Sequence, residues 1–335
     1  RLDGRWAGTG GETGDRFLDD SHLYARDLDL FGNASLFELL SGARTRMGEE
    51  SLADWLKAPA APPVVHSRQE AVAELGPGLD LREDLAVLGE EARTGVHPYA
   101  LTAWGERPVQ LDVSAISVWL WLLTFAGFFA VFGAVARVAV YFQVLQFDPG
   151  TVAALQTYVL TAFMVCGAVV WRFHQRTDAI LDHVDEAAHD LDLLAGVLGR
   201  LEAERFRAAR LVTLRNELDT EGQPPSRRIT QLKRLMSLVD SRHHFIVRLL
   251  GPLVLWDVHL ACAIERWRSV SGPALRRWLA AVGEMEALVS LAGYHYEHPD
   301  DVFPEVVSAM AGFDGEELGH PLLSEAVALR NDVRL

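Results

Sequence analysis

The stretch Val113-Ser-Ala-Ile-Ser-Val-Trp-Leu-Trp-Leu-Leu-Thr-Phe-Ala-Gly-Phe-Phe-Ala-Val-Phe-Gly-Ala-Val-Ala136 carries no ionisable side chain. After a short polar interval, Thr151-Val-Ala-Ala-Leu-Gln-Thr-Tyr-Val-Leu-Thr-Ala-Phe-Met-Val-Cys-Gly-Ala-Val-Val-Trp171 is free of Asp, Glu, Lys, Arg and His. Each run meets the roughly 20 apolar residues that a helix needs to cross a bilayer. The alternative is a buried hairpin inside a soluble domain, but helices of soluble proteins keep a polar face, and these have none. The pattern predicts a two-helix transmembrane hairpin over 111–172, with Arg137, Asp148, Pro149 and Gly150 in its connector. Arg93, Arg107, Arg172 and Arg176 flank the outer ends and only Arg137 marks the connector. That bias places both large flanks on the cytosolic side of an inner (cytoplasmic) membrane.

Outward from the hairpin the pattern is helical on both sides. Residues 1–21 are rich in Gly, Asp and Thr and read as a linker. From 22 to 110, Leu36, Phe37, Leu39 and Leu40, then Met47, Leu52, Trp55 and Leu56, recur at helical spacing with a break at 42–48. A Pro-rich interval at 59–63 precedes helices expected at 67–75 and 80–91, the latter with Asp80 as N-cap. Beyond 172 the second membrane helix is expected to run on, because no Pro or Gly interrupts 171–195. Leu181, Val184, Ala188, Leu191, Leu194, Leu198 and Leu201 form one apolar stripe on an otherwise charged rod. A helix over 151–218 would span on the order of 100 Å at about 1.5 Å per residue. The Gly222, Pro224, Pro225 break then allows an antiparallel return. Within that return, 245–263 is apolar, and Arg248, Asp257 and His259 favour a core helix there over a third span. A further helix is expected over 274–296 and a loop over 298–304. The coarse division is therefore 1–21, 22–110, 111–172, 173–316 and 317–335.

The formal net charge of -15 argues against a surface that grips nucleic acid by bulk electrostatics. One local candidate for phosphate contact remains, the basic segment carrying Arg227, Arg228, Lys233 and Arg234; its alternative is an ordinary charged helix face. Glu186 and His189 have a di-iron spacing without the second pair that such a site needs, and with Asp182, His183, Asp185 and Asp190 they read as a solvated face. His295, Glu297, His298, Asp300 and Asp301 read as an interhelical loop, so no metal site is expected. Cys166 and Cys262 lie in apolar runs and behave as small hydrophobes. No Gly-x-x-x-x-Gly-Lys-[Ser/Thr] occurs, and no nucleophile, base and orienter set is visible, so no catalytic residue is expected in 1–335. Arg1 in place of Met, and the alternating 327–335 without a closing turn, lead us to expect a fragment of a longer protein.

Four pieces in order resemble the start of the MutS core domain. They are Asp27-Leu-Asp-Leu-Phe-Gly-Asn-Ala-Ser-Leu-Phe-Glu-Leu-Leu40, Ala43-Arg-Thr-Arg-Met-Gly48, Leu52-Ala-Asp-Trp-Leu56 and Arg68-Gln-Glu-Ala-Val-Ala-Glu-Leu75. Residues 278–292 and 296–304 resemble that family's last lever helix and its exit. Gly319-His-Pro-Leu-Leu323 through Asn331-Asp-Val-Arg-Leu335 resembles the first strands of its ATPase domain. The resemblance covers about 28–91 and 270–335, lacks an N-terminal mismatch-reading domain, and points to a short, membrane-associated subgroup of MutS-related proteins. It implies a mainly α chain: a MutS-core-like helical lever domain, a transmembrane hairpin, and the beginning of an α/β ATPase domain at 317–335. It further implies ATP and Mg bound by the full-length protein, dimerisation through an ATPase domain beyond Leu335, and double-stranded DNA as a candidate partner. By alignment with that family, Ala328, Leu329 and Asn331 would lie near the adenine, although Ala328 cannot stack on a base. The expected function is the non-catalytic N-terminal part of a membrane-associated MutS-related ATPase with a mismatch-repair-like role; the alternative is a membrane-anchored coiled-coil scaffold with no DNA function.

Overall fold

In the computed structural model, which describes residues 6–8, 11–111, 113–307, 312–323 and 327–335, the chain is mainly helical. Twelve helices follow in order among these residues: α1 (Leu36–Leu40), α2 (Arg46–Lys57), α3 (Pro62–Leu75), α4 (Leu79–Gly95), α5 (Pro98–Glu106), α6 (Val113–Tyr141), α7 (Pro149–Asp182), α8 (Val184–Ala203), α9 (Ala209–Glu217), α10 (Pro225–Asp240), α11 (Phe245–Leu250) and α12 (Trp256–Glu297). A two-stranded antiparallel sheet, β1 (Asp314–Leu318) with β2 (Asn331–Arg334), ends the chain. The chain divides into two compact units, one made of 1–98, 193–225 and 276–335, the other of 99–192 and 226–275. Helices α8 and α12 each belong partly to both.

The first unit is built on capping and small residues. Ser35 caps α1 by accepting the Glu38 N–H, and Thr45 caps α2 by accepting the Gly48 N–H at 3.3 Å. A Cβ on Gly48 would come within 2.1 Å of the Glu286 carboxylate and one on Gly283 within 2.7 Å of the Met47 carbonyl, so these two glycines let α2 lie directly on α12. Phe31, Phe37, Leu40, Leu52 and Ala287 form a buried cluster. The segment 1–21 does not behave as a free linker throughout: Phe17 stacks against Phe31 and Phe37, and Arg16 pairs with Glu49 at 2.6 Å. Residues 1–5 and 9–10 of that segment, and 324–326 of the expected terminal strands, lie outside the described residues. Helix α3 begins at Pro62, within the Pro-rich interval expected to separate helices, because proline at the first turn removes only an N–H that would lack a partner anyway. Asp80 lies in the first turn of α4, behind the N-cap Gly78.

The long rod expected over 151–218 is interrupted twice. At His183 the ring nitrogen Nδ1 lies 2.7 Å from the Ala179 carbonyl, ending α7 where its own backbone bond would continue. At 204–208 the chain leaves helix again, and Glu74 from α3 accepts the N–H groups of Arg207 at 2.8 Å and Ala208 at 2.5 Å, capping α9 from a distance. Leu191, Leu194, Leu198 and Leu201 are all buried, as the stripe requires. In the second unit α6 extends through Arg137 to Tyr141, and Pro149 and Gly150 open α7, so the connector is confined to 142–148. Nor is 245–263 one core helix: it breaks at Gly251-Pro252, where proline cannot donate a backbone bond, and Leu255 takes a left-handed φ of 53°.

Candidate functional site

Helices α6 and α7 are joined by small-residue packing and one side-chain bond. A Cβ on Gly133 would meet Leu155 at 2.9 Å and Val159 at 3.0 Å, and the Tyr158 hydroxyl donates to the Ala126 carbonyl at 2.7 Å. Their outer faces are bare: Trp119, Phe125, Phe129, Phe132, Phe163 and Trp171 are all exposed. Both α6 and the helix beginning at Pro149 are long and apolar enough to cross a membrane, and only 22% and 11% of their most apolar windows are buried in the protein. The core helix of a soluble domain would be mostly covered. Here the apolar surface has no protein over it, and burying such surface is worth about 25 cal/mol per Å².

Helix α12 secures the other elements at both of its ends. In the first unit Glu286 accepts from the Thr45 N–H at 3.0 Å and from its hydroxyl at 2.5 Å, and Ser290 accepts from the Gly42 N–H at 3.0 Å. Burial pushes the Glu286 carboxyl up to about 6, against the lowering effect of the Thr45 bonds. In the second unit the buried Arg268 pairs with Glu265 at 2.8 Å and donates to the carbonyls of Trp104, Arg107 and Pro108 at 3.1, 2.7 and 3.1 Å. Glu265 in turn accepts the Gln110 N–H at 3.0 Å. Those carbonyls end α5 just before the chain enters α6, so one buried ion pair fixes the root of the apolar hairpin. Sequence reasoning missed this pair. The one signal for it was a Glu-x-x-Arg spacing on the face that also carries Ala261, Ile264 and Trp267.

The four basic candidates lie on α10 and do not form one patch. Arg227 and Arg234 are exposed on one face with Thr230 and Gln231, lining a shallow cavity of about 330 Å³. Arg228 is turned inward at 8% exposure, and its carbonyl accepts the Trp267 indole N–H at 2.7 Å. Lys233 is paired with Asp192. The inward turn of Arg228 could have been read from Ile229, Leu232 and Val239, whose helical spacing puts residue 228 on the edge of the apolar face.

Ala328, Leu329 and Asn331 come together only along the chain, at the start of β2. Leu329 is 85% exposed, and the Asn331 side-chain amide donates to the Leu329 carbonyl at 3.2 Å. A different cavity of the first unit, about 410 Å³, lies between α2, α3, α12 and the loop after it, lined by Trp55, Leu56, Val72, Leu291 and Phe303. The Arg68 guanidinium stacks on Trp55 at 3.7 Å within it, and burial lowers its pKa. Among the described residues no group of three or more His, Cys, Asp or Glu is placed to hold a metal ion. Compared with protein-family models, with curated proteins and with solved structures, the chain matches none of them.

Proposed function

We propose that this chain is the membrane-anchored lever part of a MutS-related ATPase, non-catalytic in itself, whose nucleotide chemistry would reside in sequence following Leu335. The observation that carries this reading is the double role of α12. Its half in the first unit holds the helices whose motifs resemble the MutS core, through Glu286 and Ser290. Its half in the second unit holds the root of the apolar hairpin, through Arg268. On this reading α6 and α7 span a cytoplasmic membrane with both large flanks cytosolic, ATP and Mg bind the full-length protein, Ala328, Leu329 and Asn331 sit near the adenine, and dimerisation runs through the ATPase domain.

DNA contact, where it occurs, uses Arg227 and Arg234 first, since Arg228 is buried and Lys233 is already paired. That same reduction, with the net charge of -15, favours a second reading in which the levers act as a membrane scaffold without DNA. The test is the full-length protein reconstituted in vesicles, assayed for ATP hydrolysis and for ATP-dependent retention of duplex DNA at low salt. Hydrolysis with retention supports the first reading. Hydrolysis without retention moves the function to another partner, and absence of nucleotide binding removes the ATPase reading.

A further inference from the structure

The broken segment between α10 and α12 does not fit a cytosolic core. Its tip, 251–255, packs on the apolar hairpin within the second unit. A Cβ on Gly127 of α6 would come within 1.9 Å of the Leu253 carbonyl oxygen, so only glycine admits the tip there. The Cys166 thiol of α7 donates to that same carbonyl at 3.5 Å, and Thr124 Oγ1 lies 3.4 Å from the Val254 carbonyl and 2.7 Å from His259 Nε2. The N–H groups of Gly251, Leu253, Val254 and Trp256 all donate within the turn, and Pro252 has none to satisfy. Irregular backbone with most of its N–H groups met by protein is the kind tolerated at membrane depth, while the buried Trp256 indole N–H has no partner.

The depth follows from where the tip touches. Cys166 lies five residues before Trp171 and Gly127 fourteen residues after Val113, which at ~1.5 Å per residue places the tip about 8 Å inside the level of Trp171 and about 21 Å along α6 from its head. Leading to the tip, α11 leaves Phe245 at 78% and Leu249 at 62% exposure, one turn apart on one face. Val247 and Arg248 line a polar cavity with Arg242 and with Asp178 and Asp182, which follow Trp171 by seven and eleven residues, so α11 lies at headgroup level beside α7, with Arg248 exposed on a stem long enough to reach headgroups.

We infer that 245–255 is a third membrane-seated element: it dips into the leaflet on the side of the large flanks, with Phe245 and Leu249 of α11 among the headgroups and only the tip at Leu253 and Val254 among the acyl chains, and leaves by the same side. The inference rests on the reading of α6 and α7 as membrane spans. It makes the segment a lipid-contacting foot of α12 rather than a crossing helix.

The test places single cysteines at Leu249, at Phe245, at Phe132 on α6 and at Ser237 on α10, each labelled with an environment-sensitive fluorophore in vesicles of phosphatidylcholine and phosphatidylglycerol. The vesicles contain nitroxide lipids labelled either near the headgroup end or near the methyl end of the acyl chain. Cys166 and Cys262 are buried, and the parent protein should take up no label. Labels at 245 and 249 are expected to be quenched roughly twofold more by the shallow nitroxide than by the deep one, as an interfacial element requires. The label at 132 should be quenched more strongly by the deep nitroxide, and that at 237 by neither. If 132 is quenched while 245 and 249 are not, the segment sits in water or under protein and the inference is overturned with the spans intact. If 132 is also unquenched, the membrane reading itself falls and takes the inference with it. Deep quenching at 249 would overturn the re-entrant geometry in favour of a crossing helix.

Discussion

Glu286 should make the stability of the first unit fall as pH rises through 6. Its carboxylate is buried in α12 under α2, and burial raises it from 4.5 to about 6 although two Thr45 donors oppose the rise; the charge of Glu49 adds to it. The folded protein thus binds this proton more tightly than the unfolded chain. The stabilisation is fully present below 4.5 and is lost as pH rises through about 6. At 1.36 kcal/mol per tenfold, the interval amounts to about 2 kcal/mol. Glu286→Gln keeps the shape and one acceptor oxygen for Thr45 but does not titrate. In urea unfolding of the bilayer-reconstituted protein followed by tryptophan fluorescence, the stability difference, variant minus parent, should therefore grow by about 2 kcal/mol between pH 4.5 and pH 7.5. Glu49, also raised by its burial, titrates in both proteins and largely cancels. A flat difference, or a parent that gains on the variant as pH rises, would refute the claim that a charged carboxylate is held there at a cost.

Arg268→Ala should destabilise the second unit by about 3–5 kcal/mol, because it strands the buried Glu265 charge, whereas replacing both Arg268 and Glu265 by Met should cost less, since it leaves the three carbonyls and the Gln110 N–H without partners but no buried charge; denaturant midpoints of the three proteins check this. Gly48→Ala should cost about 1–3 kcal/mol, since its Cβ would meet Glu286 at 2.1 Å, and a loss under about 0.5 kcal/mol would mean that α2 is free to shift off α12. In full-length protein, Arg227→Ala with Arg234→Ala should flatten the salt dependence of DNA binding by about two counterion terms, while Arg228→Ala should change stability and leave that slope alone. Residues 1–335 alone should hydrolyse no ATP above background, measured as phosphate release, because the sequence holds no phosphate-binding loop.

The parts of this fold that were legible in the sequence are those decided by composition or by local capping. The hairpin could be read because soluble helices seldom stay uncharged on every face over such lengths, and α2 from the helical spacing of Leu52, Trp55 and Leu56, although its first turn, capped by Thr45, falls inside the break expected at 42–48. What the sequence hid is tertiary in origin. Nothing in 183–184 announces a break, since His183 ends α7 through its own ring nitrogen on the Ala179 carbonyl. The end of the rod near 204 depends on Glu74, more than 100 residues away in sequence. The division of the basic helix into exposed Arg227 and Arg234 and inward Arg228 was latent in the spacing of Ile229, Leu232 and Val239, but the pairing of Lys233 with Asp192 was not. The seat of 251–255 on Gly127 and Cys166 could not be read from an apolar run that fits a core helix equally well.

On the proposed reading, α6 and α7 anchor the levers to a membrane with both large flanks on one side. Single cysteines at Gln146 in the connector and at Glu221 between α9 and α10, both exposed, report the two sides directly in sealed inside-out vesicles treated with a membrane-impermeant maleimide. Position 221 should react at once, and 146 only after the vesicles are permeabilised. Equal reaction of both positions in sealed vesicles, or recovery of the protein in the soluble fraction without detergent, would contradict that reading.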